Sequence, residues 1–323
     1  MHAGLSTTEA DWRTVQCGHL IEQQNLVVVD ANASMEKACE ALITHGISSA
    51  PVYDAAVKTY VGMFDYADLL TYILLVLKRA KVPQHETTKD VLKLVQQAAA
   101  EQAVPVRLAS DLSRNNPFYS VMAESSLLQA LEIFAQGTHR VAVMNQDGSM
   151  KGILSQSTVA RYVCEQYGNY PSLDAIMKRS LADLNLTGGS VIVVDGGDQV
   201  LEALSLMSQH GVSSVAVIDA SGRILGNISL TDIKHVLRRD RHALLYSACH
   251  AFISHVKLED GLERGMDTVP VFDVTPDISL NTCLRKLVAT RAHRVWISDD
   301  QRRATGVVSL TDVSRVLAEH AGI

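Results

Sequence analysis

The sequence predicts an α/β fold built from four β-α-β-β-α repeats packed as two pairs. Three observations carry that expectation. An apolar stripe at i, i+4 and i+7, the pattern of a helix lying on a core, recurs four times along the 323 residues. Each stripe leads into a short strand-like segment, and nine or ten residues past that segment stands a glycine. Six residues beyond each glycine a second helix opens, with an aspartate at that position in three of the four copies.

The four helix stripes are Met35, Cys39, Leu42; Leu127, Leu131, Phe134; Val200, Leu204, Met207; and Leu280, Leu284, Leu287. Self-similarity of this kind marks a repeat architecture, in which one unit cannot bury its apolar faces alone. The strand-like segments follow at Gly46 to Val52, Gly137 to Val143, Gly211 to Val217 and Arg291 to Ile297. Past polar turns such as Asp147-Gly148 and Ser221-Gly222, a second strand opens at Gly62, Gly152, Gly226 or Gly306, which makes each copy an antiparallel hairpin. Asp68, Thr158, Asp232 and Asp312 then head helices with apolar positions at Leu69, Tyr72, Ile73; Val159, Tyr162, Val163; Ile233, Val236, Leu237; and Val313, Val316, Leu317. A strand also precedes each first helix, clearest at Leu26 to Val29 and Val191 to Val194. The repeats cover residues 26–80, 117–168, 190–240 and 270–323, grouped into domains 1–168 and 169–323. Lys81 to Asp111, polar and helical, and Arg238 to Asp267 read as linkers.

Composition narrows the function. With 47% hydrophobic and 20% charged residues, neither a disordered nor a fibrous chain fits. A formal net charge of −6 argues against nucleic acid or an anionic membrane as partner, so an anionic ligand must find a local basic cluster. The five cysteines form no C-x-x-C pair, which points away from zinc and toward a reduced, cytoplasmic or nuclear setting. The longest apolar run, Leu69 to Leu77, falls well short of the ~20 residues that span a bilayer, and the amino terminus lacks a signal pattern. There is no phosphate-cradling glycine loop, H-E-x-x-H pair or nucleophile–base set, so no catalytic residues and no obligatory cofactor are expected.

Two clusters could bind an anion. Ser229 to Asp232 and Ser309 to Asp312 fall where a strand hands over to a helix, and a helix N-terminus attracts anions through its free N–H groups and dipole. The same residues are ordinary helix caps, an equally good reading taken alone. His139-Arg140 and His293-Arg294 sit just before a strand in repeats two and four only, opposite Ser48-Ser49 and Ser213-Ser214 in repeats one and three. A guanidinium fork matches phosphate and an imidazole adds a donor; the plain alternative is a solvated strand end. The remaining histidines, His210, His250 and His255 among them, show no matched spacing and read as structural.

These residues, with YVGMFDYADLL at Tyr60, THRVAV at Thr138, GNISLTDI at Gly226, AHRVWI at Ala292 and GVVSLTDV at Gly306, resemble the CBS-domain family. They are most similar to the four-repeat γ subunits of AMP-activated and sucrose-non-fermenting kinases. Fungal four-CBS stress-response proteins linked to protein-phosphatase control are similar too. The resemblance covers about Leu26 to Leu317 and implies two paired, or Bateman, domains that bind adenine nucleotide, AMP, ADP or ATP. It implies ribose held by Asp68, Asp232 and Asp312, with the repeat-two site empty because Thr158 cannot serve both hydroxyls. Phosphate would meet His139, Arg140, His293, Arg294, Ser213, Ser229, Thr231, Ser309 and Thr311, and adenine would meet Met63, Ala203, Val212, Ala292 and Val307. Ser48 and Ser157 replace an arginine and a lysine of the γ subunits, and Asp198 adds an acid nearby, so triphosphate should bind more weakly. The expected function is a ligand sensor acting on a kinase or phosphatase complex, with homodimerisation left open; the alternative is a scaffold or phosphatase regulator that senses no nucleotide.

Overall fold

The computed structural model describes residues 11–21, 24–77, 102–237, 241–264 and 273–323. Repeat one contains β1 (Val29–Asp30), α1 (Met35–Thr44), β2 (Ser49–Asp54), β3 (Thr59–Asp65) and α2 (Tyr66–Val76). Repeat two contains β4 (Ser120–Met122), α3 (Leu127–Ala135), β5 (Arg140–Met144), β6 (Met150–Ser155) and α4 (Gln156–Gln166), followed by a connecting α5 (Pro171–Met177). Repeat three contains β7 (Val193–Asp195), α6 (Val200–His210), β8 (Ser214–Ile218), β9 (Ile224–Ser229) and the short α7 (Ile233–Val236), then α8 (Cys249–Arg264). Repeat four contains β10 (Asp273–Val274), α9 (Leu280–Thr290), β11 (Arg294–Ser298), β12 (Ala304–Ser309) and α10 (Leu310–Ala321).

Each repeat forms its own three-stranded sheet, a parallel pair across the first helix and then an antiparallel hairpin. The second strands begin two or three residues before the expected glycines, at Thr59, Met150, Ile224 and Ala304. A bulge in the hairpin lets pairing resume earlier than the glycine spacing implies. Three of those glycines, Gly62, Gly152 and Gly306, lie inside strands where another segment crosses closely. A Cβ at Gly152 would meet Gln24 Oε1 at 2.5 Å, and one at Gly306 would meet the Thr187 carbonyl at 2.7 Å.

The crossing segments are lead-ins exchanged between neighbouring repeats. Residues before repeat one bond to repeat two, through Cys17 N–H to Ser125 O (2.8 Å) and Leu127 N–H to Val15 O (2.7 Å). Residues before repeat two bond to repeat one, through Met35 N–H to Val104 O (3.0 Å) and Val106 N–H to Ala33 O (2.8 Å). Repeats three and four repeat the exchange, with Leu181 N–H on Ile278 O (2.9 Å) and Cys249 N–H on Asp198 O (2.8 Å). The described part of the Arg238 to Asp267 stretch is therefore no linker: Cys249, Phe252, Ile253 and Val256 of α8 are core residues. Most of the other expected linker, Lys81 to Asp111, lies outside the described residues, and its described end, with Val104, Val106 and Ala109, is core too.

The helices pair differently. One apolar core joins repeats one and three, with Leu42 and Leu74 in the same cluster as Leu204 and Phe252. A second joins repeats two and four, with Leu131 and Phe134 beside Leu284 and Leu317, and Trp12 and Cys17 from the amino-terminal segment buried among them. Every residue of the four first-helix stripes is buried, as amphipathic spacing requires. Lead-ins thus tie one to two and three to four, while helices tie one to three and two to four. The four strand-to-helix junctions are brought round a shared centre.

Candidate functional site

Sheet register places the charged side chains. In each repeat the first residue of the antiparallel pair faces the residue that caps the second helix: Ser49 with Asp65, Arg140 with Ser155, Ser214 with Ser229, Arg294 with Ser309. An arginine therefore stands beside a helix N-terminus in repeats two and four, and a serine does so in repeats one and three. Where the four junctions meet lies a cleft of about 810 Å³ lined by all four repeats. His139 and Arg140 from one side and His293 and Arg294 from the other line it together.

Their shared position in the cleft lets these four side chains act on one another's charge. Burial pushes the His139 imidazole down to about 3, helped by the charges of Arg140, His293 and Arg294. His293 is lowered in the same direction by partial desolvation and by Arg140 and Arg294, although its side chain stays exposed at the cleft. Burial likewise lowers Arg294 to about 10, with Asp312 opposing the shift. The His139 imidazole is neutral at neutral pH, and the two guanidiniums supply the positive charge. Arg294 spends part of its fork on repeat three, donating from Nη2 to Ser213 Oγ and from Nη1 to Ser214 O (3.3 Å). The Arg140 side chain makes no hydrogen bond to a described residue; desolvation lowers its affinity for the proton, and Asp65 and Asp68 of repeat one oppose that shift. A half-buried guanidinium fork with no hydrogen-bond partner among the described residues is a ready phosphate ligand.

The remaining expected residues divide. Ser213, Ser309, Thr311, Asp312, Val212 and Val307 line the cleft. Asp312 closes a capping box, accepting from Ser309 N–H (2.9 Å) and Ser309 Oγ (2.6 Å), and its second oxygen accepts from Arg315 (3.0 Å) at the exposed end. Thus the capping and anion-site readings of this motif are both compatible with one geometry. Asp232, Ser229 and Thr231 form the matching cap in repeat three, with Ser229 N–H on Asp232 Oδ2 at 2.7 Å, but do not line this cleft. Burial raises the Asp232 carboxyl, and the Ser229 bonds oppose it.

Asp68 is not at the cleft: it is 2% exposed, its Oδ1 accepts from Ser113 N–H (2.8 Å) and its Oδ2 from Asp65 N–H (3.0 Å). Met63 and Ala203 are buried away from the cleft, Ala203 in the core of repeats one and three. Ala292 packs on the core of repeats two and four, also off the cleft. Asp198 is exposed and turns back on Asp195 N–H (3.3 Å), so it adds no acid to the cleft. Ser48, Ser49 and Ser157 do line it.

Sequence reasoning missed three residues. Gln156, buried, donates to Thr138 O (3.1 Å) and to Thr311 Oγ1 (3.0 Å), bracing repeat two against repeat four. Asn116, also buried, donates to Asp65 Oδ2 (2.7 Å) and accepts from His139 N–H (3.0 Å). Asp65 itself was detectable: it occupies the frame position held by Ser155, Ser229 and Ser309. No group of His, Cys, Asp and Glu among the described residues could hold a metal, and no described helix is long and apolar enough to cross a membrane.

Four repeats of this topology define a class of tandem βα-repeat proteins, and the family model for the CBS domain matches at residues 19–75, 109–165, 181–239 and 264–319. The chain belongs to the CBS-domain family. Among curated proteins it is similar to Protein SDS23 of Kluyveromyces lactis, 35% identical over 96% of this chain and 63% of that one. It is similar to Protein SDS24 of Saccharomyces cerevisiae as well, 36% identical over 92% of this chain and 58% of that one. The chain thus spans about three fifths of these relatives. Among solved structures, protein MJ1225 of Methanocaldococcus jannaschii, described as a proposed archaeal homologue of the AMPK γ subunit, shares the fold with a TM-score of 0.70 and 15% identity, covering 94% of this chain and 100% of that one.

Proposed function

We propose that the protein is a non-catalytic regulator that binds an adenine nucleotide, AMP, ADP or ATP, between its CBS repeats and passes occupancy to a protein partner such as a kinase. The observation that carries this reading is the convergence of Arg140 and Arg294, from repeats two and four, on one cleft lined by all four repeats. Phosphate placed there would bridge both pairs of repeats. Ribose would lie toward Asp312, where a carboxylate accepting two hydroxyls contributes about 1.5–3 kcal/mol. Regulation requires that the partner-bound and free states hold the nucleotide unequally, and a ligand that touches all four repeats can be sensitive to their arrangement. The limited cationic complement, with Ser48 and Ser157 on the wall, favours a ligand with few phosphates.

The test is mass spectrometry of small molecules released from the purified protein, followed by calorimetry with AMP and adenosine. Released adenine nucleotide, and AMP bound more tightly than adenosine, support the proposal; no binding of either defeats it. A second reading, a scaffold or phosphatase regulator that senses no nucleotide, gains support from the two repeats without an available acid, repeat two by Thr158 and repeat one by the burial of Asp68.

A further inference from the structure

Repeat one carries the aspartate that the frame calls for, yet the chain itself uses it. The turn before repeat two, residues 111–116, runs over the junction of β3 and α2 with Asp111 and Arg114 in the left-handed region, at φ 54° and 57°. Asp111 exchanges bonds with Met63, accepting from Met63 N–H at 3.0 Å while its own N–H donates to Met63 O at 2.8 Å. Ser113 N–H occupies Asp68 Oδ1. Asn116 then spans the gap between Asp65 Oδ2 and the His139 N–H. Among the described residues, the corresponding turn before repeat three makes no hydrogen bond to Asp312, whose side-chain bonds go to Ser309 and Arg315.

The substitution that permits this is Asp65 in place of the serine of the other three repeats. Its carboxylate caps α2 through Ala67 N–H (2.8 Å) and Asp68 N–H (3.0 Å), and has an oxygen left for Asn116. A serine hydroxyl could not serve all three donors as well. Repeat one also holds the two acids that face Arg140.

We propose that repeat one is a self-occupied site: the 111–116 turn takes the place of a ligand on Asp68, and Asn116 makes the closed junction a brace that positions His139 and Arg140 at the central cleft. The positioning half of this inference rests on the nucleotide reading above; the self-occupancy half does not.

Two readouts separate them. The first uses no ligand: carbodiimide labelling of carboxylates, followed by mass spectrometry, should modify Asp312 while Asp65 and Asp68 stay protected. Asn116→Ala should open Asp65 to labelling. Labelling of Asp68 as fast as Asp312 in the unaltered protein overturns self-occupancy, whatever the protein binds.

The second compares AMP with adenosine. Loss of one buried hydrogen-bonded brace should weaken AMP by about fivefold or more in Asn116→Ala while changing adenosine by less than about twofold. The exchange Asp65→Asn/Asn116→Asp reverses donor and acceptor across the same contact and leaves an acceptor for His139 N–H, so AMP affinity should return to within about twofold of the unaltered protein. Equal losses for both ligands, or no rescue by the exchange, overturn the positioning role. If Asn116→Ala fails to fold, Asp65→Asn alone, which sets amide against amide, replaces it in the AMP comparison, and self-occupancy is decided by Asp68 labelling in the unaltered protein. Absence of AMP binding in the unaltered protein would defeat the nucleotide reading and the positioning role together, and leave self-occupancy to stand or fall on the labelling.

Discussion

Repeats one and four start their second helices with the same geometry and put it to opposite uses. Both place an aspartate as the third residue of the helix in a capping box, Asp68 under Asp65 and Asp312 under Ser309. In repeat four the acid lines the central cleft. In repeat one it is buried under a turn from the neighbouring repeat, and burial together with Asp65 raises its carboxyl well above the usual range. Recurrence of a motif is therefore recurrence of a local fold; whether it is a binding site depends on what the partner repeat lays across it.

The largest expected effect separates these two acids. Asp312→Ala should weaken AMP about tenfold or more through loss of a charge-assisted contact, with the fold intact. Asp68→Ala should leave AMP within about twofold but cost about 1–3 kcal/mol of stability, because the Ser113 and Asp65 N–H groups lose their buried acceptor. Calorimetry and denaturant unfolding of the two variants check both halves. An Asp68 variant that loses AMP binding at full stability would return repeat one to the list of open sites.

The crossed lead-ins provide the next contrast. At Gly306 an added methyl meets the Thr187 backbone, whereas at Gly152 it meets the flexible end of Gln24. Gly306→Ala should cost about 1–3 kcal/mol and Gly152→Ala less, since a side chain can swing away and a carbonyl cannot. Equal thermal shifts in the two variants would contradict the close approach on which the repeat pairing rests.

The two basic pairs supply a smaller effect. Arg140→Ala and Arg294→Ala should each weaken AMP and nearly spare adenosine, and the double variant should depart from their sum by about 0.5–3 kcal/mol, as groups sharing one ligand do. Strict additivity would mean separate phosphate sites rather than one cleft.

Acid provides the subtlest contrast. Burial holds His139 down to about 3 in the folded protein, below the 6.5 of a free imidazole; His293 is lowered too but is exposed, so solvent screens its share. Above pH 6.5 neither state binds the proton and these groups contribute nothing. As the pH falls below 6.5 only the unfolded chain takes protons up, so stability is lost progressively toward pH 4. Bound phosphate favours the imidazolium. The thermal midpoint should therefore fall less between about pH 7 and about pH 5 in saturating AMP than without it. An identical fall with and without AMP would place the phosphate away from both histidines.

What could be read from the sequence was whatever has a period. The helix stripes, the hairpin glycines and the acid position all follow from local spacing, and so does the basic–hydroxyl alternation at Ser49, Arg140, Ser214 and Arg294, which register turns into neighbours of the helix caps. What could not be read depends on contacts between segments far apart. Ser113 reaches Asp68 across 45 residues and Asn116 reaches Asp65 across 51, and no periodicity marks a turn that closes a cleft. The burial of Trp12 in the core of repeats two and four is hidden for the same reason, as is the crossing of helix pairs over lead-in pairs. The adenine assignments to Met63, Ala203 and Ala292 rested on resemblance alone, and none of the three lines the central cleft.

The most direct test of the account is the number of AMP molecules bound per chain at saturation, measured by equilibrium dialysis with Asp312→Ala in parallel. One or two AMP should bind per chain, with the repeat-four site lost in Asp312→Ala. No binding, or three or more AMP per chain, would contradict it.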